Sequence, residues 1–283
     1  RRSGPDCLPI EPSILRHHEF SCKSNPYFAR PPSTGRRDCC DYITGMPDQN
    51  KMQTAFVTGT DTNVGKTYVT CLLIRKLRAA GFQVGAYKPV CSGAELDAKG
   101  NPFWSDIDAL SSAAGSQFSL DMICPQRFLA ATAPNVAAEM EGATVSSELL
   151  LQGISEWEAK ADSLIIEGAG GILCPLSDEL SVLDLAVLIK APVIVVAANR
   201  LGVISHTRLT VERIRDSGLE VAAVILNETG MPRSADASLT TNALQLSYWL
   251  PDVPHLHLPF HGTTVSVLHN SSAPMHPLLA QVI

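Results

Sequence analysis

The sequence predicts an α/β fold: three layers, with a parallel sheet covered by helices on both faces. Three observations predict it. From Lys51 onward short, apolar, β-prone runs alternate with stretches of helical period, and strands spaced by helices pair in parallel because each crossover needs about a helix of chain. Apolar residues make up 45% of the chain against 18% charged, a balance that can fill a core bounded on both sides. A glycine-bordered turn joins the first strand to the first helix, which is where such sheets receive phosphate groups.

The elements follow in order. Thr54 to Thr58 is a short strand, and Thr67 to Ala80 carries Val69, Leu72, Leu73 and Leu77 at helical spacing before stopping at Gly81. Phe82 to Tyr87 is the second strand, Leu164 to Ile166 the third, Pro192 to Ala197 the fourth and Val221 to Leu226 the fifth, with His255 to Leu258 as a sixth. Helical pattern fills the intervals at Ser147 to Ala159, Val182 to Ile189, and Ser205 to Asp216, where Gly218 is the stop. No internal repeat is visible.

Residues 1–50 differ from the rest: they hold Pro, Ser and Arg clusters and no sustained apolar period. They are expected to be a disordered extension, with residues 51–283 as the folded domain. Met46 and Met52 stand just before the first strand, so an upstream extension is one reading of this segment. A transit peptide is opposed by Asp6, Glu11, Glu19, Asp38 and Asp41, since such peptides are poor in acids. Cys7, Cys22, Cys39, Cys40, His17 and His18 lack zinc-finger spacing.

Charge and hydropathy exclude other classes. A formal net charge of -6 gives no long-range pull on a nucleic-acid backbone, so nucleic acid is not expected as a partner. No apolar run approaches the roughly 18 residues of a membrane span; the most apolar stretch, Ala191 to Ala198, suits a buried strand. Cys71, Cys91, Cys124 and Cys174 are scattered without CxxC spacing, which points to buried thiols in a reducing, cytoplasmic compartment.

The chemistry-bearing motif is Gly59-Thr60-Asp61-Thr62-Asn63-Val64-Gly65-Lys66-Thr67. Backbone N–H groups at a helix start converge on phosphate oxygens, Gly65 allows close approach, Lys66 neutralises β- and γ-phosphates, and Thr67 offers a hydroxyl to Mg2+. Five residues separate the glycines, one more than in the strict pattern. A GxGxxG turn is missing, which disfavours a dinucleotide and hydride transfer. Glu167 ends the strand Leu164 to Ile166 at the same sheet edge and is a candidate Mg2+ ligand. Gly168-Ala169-Gly170-Gly171 follows with backbone free to approach a ligand. Lys88, in Tyr87-Lys88-Pro89-Val90-Cys91-Ser92-Gly93, leaves the second strand beside the loop, where a second lysine stabilises charge in phosphoryl transfer; an ordinary snorkelling lysine is the plainer reading. Ser105-Asp106-Ile107-Asp108 begins a helix, where Ser105 or Asp106 caps the amides or the segment supplies the other metal carboxylate.

Taken together, the loop, Tyr87-Lys88-Pro89-Val90 with Ser92-Gly93, Glu167-Gly168-Ala169-Gly170-Gly171 with Pro175-Leu176-Ser177-Asp178, and Leu201-Gly202 with His206 resemble, in order and spacing, the dethiobiotin synthetases. The likeness runs from about Thr54 to Phe260. It implies a homodimeric, Mg2+-dependent ATP enzyme that closes a ureido ring on 7,8-diaminopelargonic acid and CO2 through a carbamate and a carbamic-phosphoric anhydride. It implies that Gly59, Thr62, Asn63, Val64, Gly65, Lys66 and Thr67, with Glu167, Gly168 and Gly170, surround the nucleotide, and that Asn227 reads adenine. It assigns Lys66 and Lys88 to catalysis, Thr62, Lys88 and Ser92 to the substrate, and Thr67, Asp106 and Glu167 to the metal, Asp106 aligning better than Asp108. Two positions depart from the pattern: Asn63 stands where an acid is frequent, and Ser205 where an asparagine reaches the substrate carboxylate across the dimer.

Two other classes compete. Partitioning ATPases place a lysine where Asp61 stands, and a glutamine amidotransferase needs a cysteine nucleophile, whereas no cysteine follows Ala191. A noncatalytic nucleotide-binding regulator differs by releasing no ADP in response to diamine and bicarbonate together.

Overall fold

The chain runs β1 (Gln53–Gly59), α1 (Lys66–Ala79), β2 (Val84–Tyr87), β3 (Val90–Ser92), β4 (Glu95–Leu96), β5 (Pro102–Phe103), α2 (Ser105–Ala114), α3 (Leu120–Ile123), β6 (Gln126–Phe128), α4 (Pro134–Met140) and α5 (Ser147–Ser155). It continues through β7 (Ser163–Gly171), α6 (Val182–Ile189), β8 (Val193–Ala198), α7 (Val203–Asp216), β9 (Val221–Asn227), α8 (Ala237–Trp249), β10 (His255–Leu258), β11 (Ser266–Val267) and α9 (Pro277–Ala280). The structure, a computed structural model, describes residues 52–231, 237–268, 273–281 and 283. These belong to one compact unit, Asp48–Ile283. The segment 1–50, expected to be disordered, lies outside the described residues.

The main sheet has the order β11-β10-β9-β8-β1-β7-β2. All its pairs are parallel except β10 with β11. That edge departs from the all-parallel expectation: β11 follows β10 through a short turn without a helix, and such a connection can only return antiparallel. From β1 the chain crosses to β2 in one direction, whereas β7, β8 and β9 proceed in the other, so right-handed crossovers put α1 and α7 on opposite faces. Helices α1 and α2 pack together, as do α5 with α6 and α7 with α8. Burial explains the near-continuous apolar runs: every residue of β2, β8 and β9 is buried.

Three boundaries moved for physical reasons. Phe82 is not yet strand, because its N–H still closes onto Leu77 O of α1 after Gly81 turns the chain at φ 98°. Helix α5 stops at Ser155, and the turns that follow swing Trp157 into the core, edge-on to Phe118 at 4.6 Å. Strand β7 does not end at Glu167. It runs to Gly171, and its register against β1 jumps from Val57↔Glu167 to Gly59↔Gly171. Gly168, Ala169 and Gly170 therefore bulge out of the ladder at the sheet's carboxyl edge, with Gly170 at φ 61°.

Candidate active site

The turn between β1 and α1 is shaped by its glycines and held open at the helix mouth. Gly65, the residue before α1, has φ 89°, a conformation costly for any side chain, and Asn63 sits at φ 59°. Gly59 is required by space: a Cβ there would lie 2.8 Å from Asp61 O and from Val64 Cγ2. Among the described residues no side chain caps α1, and its first turn has no acid. The unpaired amides and positive pole of a 14-residue helix thus face the turn. Lys66 Nζ donates to Asp61 O at 3.0 Å, folding the side chain across the loop. Burial pulls the Lys66 ammonium below its ordinary pKa; Glu167 opposes that shift and nearby Lys88 adds to it.

Beside the loop, Lys88 emerges after β2 and is buried with its ammonium paired to Glu167 Oε1 at 2.8 Å and to Asp106 Oδ2. Burial opposes the charge, but Glu167, Cys91 and Asp106 outweigh it and hold Lys88 well above the usual lysine value. It is therefore no snorkelling surface lysine. Burial likewise acts against the Asp106 charge, yet Lys88 and the Thr67 hydroxyl bring its carboxyl below the ordinary range. Of the two candidate aspartates on α2, Asp106 joins this cluster, whereas Asp108 is exposed.

The cluster fits a hard divalent cation. Thr67 Oγ1 lies 2.9 Å from both Asp106 Oδ1 and Glu167 Oε1, but one hydroxyl proton can serve only one of them. Glu167 Oε2 is buried with no hydrogen-bond partner among the described residues. A hydroxyl and two carboxylates, with an acceptor left over, form an all-oxygen donor set of the kind Mg2+ takes. Among the described residues there is no group of three His, Cys, Asp or Glu side chains that could hold a metal, so any metal here leans on the hydroxyl, on water and on phosphate.

These groups, except Glu167, which is fully buried and does not line it, share a cleft of about 880 Å³. Thr62, Asn63, Gly65, Lys66, Thr67, Lys88, Ser92, Asp106, Gly168 and Gly170 line it. Gly59 and Val64 are buried behind the loop as its support. Asn227, at the end of β9, is also buried: its Nδ2 donates to Val64 O at 2.9 Å. Sequence reasoning missed further parts. Thr132 O accepts from Ser92 Oγ at 2.6 Å, and the segment around it walls the cleft, yet it has no period or motif to announce it. Arg200 pairs with Asp61 at 3.0 Å, and Cys174 lies against Gly170 at the cleft rim. Thr62, Gly170 and Cys174 also border a second groove, along Leu173 and the His206, Leu209 and Arg213 side of α7.

Comparison with known proteins agrees with this geometry. A family model described as an AAA domain matches residues 53–260. An ATP-dependent dethiobiotin synthetase BioD of Rhodopirellula baltica is 41% identical over 216 residues, 72% of this chain and 84% of that protein. One from an Anaeromyxobacter species is 44% identical over 177 residues, covering 62% and 77% of the two chains. That of Yersinia pestis is 36% identical over 203 residues, 71% and 84%. A parallel sheet with a phosphate loop, paired lysines and an oxygen-rich cation seat, in a chain matching these enzymes over most of their length, belongs to the ATP-dependent dethiobiotin synthetase family.

Proposed function

We propose that this chain is a cyclo-ligase that makes dethiobiotin, with ADP and phosphate, from 7,8-diaminopelargonic acid, CO2 and ATP. The observation that carries the reading is the meeting, in one cleft, of an open helix mouth, two buried lysines and an all-oxygen cation seat. One amine of the substrate captures CO2 as a carbamate. The carbamate oxygen forms a bond to the γ-phosphorus as the bond to ADP breaks, and the second amine then attacks the carbamoyl carbon, expelling phosphate and closing the ring.

The protein's part is to position and to neutralise, as phosphoryl transfer requires. Lys66 and the α1 amides hold the β- and γ-phosphates. Lys88, kept charged by its carboxylate neighbours, offsets the negative charge of carbamate and transferring phosphoryl group. Thr67, Asp106 and Glu167 would hold Mg2+, which supplies charge neutralisation between the phosphates and their attacker. Thr62 and Ser92 line the diamine's place, the bulge Gly168 to Gly170 brings backbone to the nucleotide, and Asn227 reads adenine with its carboxamide.

The working form is a homodimer. Supporting this, Leu209 is 64% and Leu173 60% exposed along the second groove, which shares Thr62, Gly170 and Cys174 with the cleft, and Leu201, just before α7, is 84% exposed; apolar surface so exposed calls for a partner. Ser205 is exposed at the start of α7 on that side. The four described cysteines are free thiols, which suits a cytoplasmic protein. Catalysis belongs to residues 51–283, so removal of residues 1–50 is expected to leave turnover intact.

The test is a product assay by mass spectrometry with diaminopelargonic acid, bicarbonate and Mg2+-ATP. Dethiobiotin should form together with ADP, and neither should form when diamine or bicarbonate is withheld. ADP release independent of the diamine would overturn the reading.

A further inference from the structure

Asn227 has a second relation to the nucleotide besides the base. Its backbone is fixed on both flanks: it pairs with Ala198 of β8 and Leu258 of β10, and its carbonyl accepts from Asn199 N at 2.8 Å. From this rigid post the side chain reaches the phosphate loop, and Nδ2 donates to Val64 O at 2.9 Å in buried surroundings. The contact is close enough to dictate the loop's composition, since a Cβ on Gly65 would stand 2.2 Å from that nitrogen. The Val64–Gly65 peptide is trans, and in a planar trans peptide the carbonyl and the N–H point to opposite sides. Holding the Val64 carbonyl toward Asn227 therefore turns the Gly65 N–H away from it, and Gly65 lines the cleft that Asn227 itself does not.

We infer that Asn227 is a positioning residue for triphosphate binding: its carboxamide braces the phosphate loop so that the Gly65 amide faces the anion. The inference rests on the nucleotide reading above and goes beyond a role in reading the base. The two uses are compatible, because a carboxamide carries two donor hydrogens and an acceptor oxygen, and Val64 takes only one hydrogen. One side chain then joins the base subsite to the phosphate subsite, so the loop is held in binding shape before any ligand arrives.

Inorganic triphosphate separates the roles because it has no base. Calorimetric titration of the full chain with Mg2+-triphosphate and with Mg2+-ADP should show that Asn227→Ala weakens triphosphate binding by roughly tenfold, the worth of one buried hydrogen bond. ADP should weaken further, and the melting temperature should fall by only a few degrees, since the bond is already made in the free protein. Unchanged triphosphate affinity beside weakened ADP binding would overturn the brace and leave a base reader only. A double-mutant cycle checks the same contact even if Asn227→Ala is less stable. Gly65→Ala should harm triphosphate binding less in the Asn227→Ala background than alone, because the collision is gone while the positive-φ strain is common to both; additive losses would overturn the proposal. Failure of the unmodified protein to bind triphosphate would instead overturn the nucleotide reading.

Discussion

Helices α1 and α7 begin alike and end in different chemistry. Each has 14 residues, follows a sheet strand, is preceded by a glycine in the left-handed region (φ 89° at Gly65, 95° at Gly202), and has, among the described residues, neither a side-chain cap nor an acid in its first turn. By dipole alone the two mouths are equal anion sites, although at α7 the first amide, Val203 N–H, already donates to Arg200 O at 3.1 Å. Their surroundings separate them. At α1, Lys66, Lys88, Thr67 and Asp106 converge in a cleft with the Glu167 carboxylate buried against them; at α7 the neighbours are exposed Leu201, Ser205 and His206. A helix mouth supplies direction for an anion, but buried side chains of matched charge make it a reaction site. Helix α6 gives the third case: a capping box takes the Ser181 and Asp184 amides, and Cys174 O and Ile172 O accept from the Val182 and Leu183 amides, leaving nothing for a ligand.

The comparison is broken most severely at Lys66. Lys66→Ala should lower dethiobiotin formation by roughly a thousandfold or more while the melting temperature holds, since the lysine is held by a single loop carbonyl rather than by the core. Residual turnover near that of the unmodified protein would mean that the α1 amides suffice alone. Lys88→Met comes next. It should reduce kcat by roughly a hundredfold with the KM for ATP changed far less, the pattern of a group acting on the transition state. An equal rise in KM would assign Lys88 to nucleotide binding instead. The α7 side should respond in association rather than chemistry. Replacing both Leu201 and Leu209 by Asp should weaken dimerisation by roughly ten-thousandfold, since a homodimer loses four leucines whose burial is worth about 1.5 kcal/mol or more each. Light scattering over a dilution series reads this directly; an unchanged mass would place the dimer contact elsewhere or remove it.

How much of this was legible in sequence depended on how local the cause was. The β-α repeat, the stop at Gly81 and the strand Val221 to Leu226 announce themselves through period and glycine, so the sheet and its nucleotide edge could be read directly. Local reasoning also brought Lys66, Thr67, Lys88 and Glu167 to one edge, because each ends a strand or begins a helix there. It could not choose between Asp106 and Asp108: both fall in the first turn of α2, and only the packing of α2 against α1 turns the former toward Thr67. Of the β7 bulge the sequence shows only a glycine-rich stretch after Glu167, since a slip in register against β1 leaves no mark on one strand's own residues. The wall at Thr132 and the Asn227 to Val64 bond are products of residues far apart in the chain, which no spacing within a motif encodes.

The smallest effect is also the sharpest test of whether the two glycine-led mouths differ by surroundings alone. At Gly202 an added Cβ would meet only His206 Cε1, at 3.9 Å, an ordinary contact, whereas at Gly65 it would meet Asn227 Nδ2 at 2.2 Å. Both positions carry the same positive-φ strain, about 1–2 kcal/mol for a non-glycine residue. Gly202→Ala should therefore cost only about that much stability in a denaturant titration and leave the KM for ATP unmoved. Gly65→Ala adds a collision against an immobile sheet residue, so it should cost more and should also weaken nucleotide binding. Equal losses of stability at both sites, with ATP binding untouched in each, would mean that Asn227 yields without consequence and that the phosphate loop is not held in place from behind.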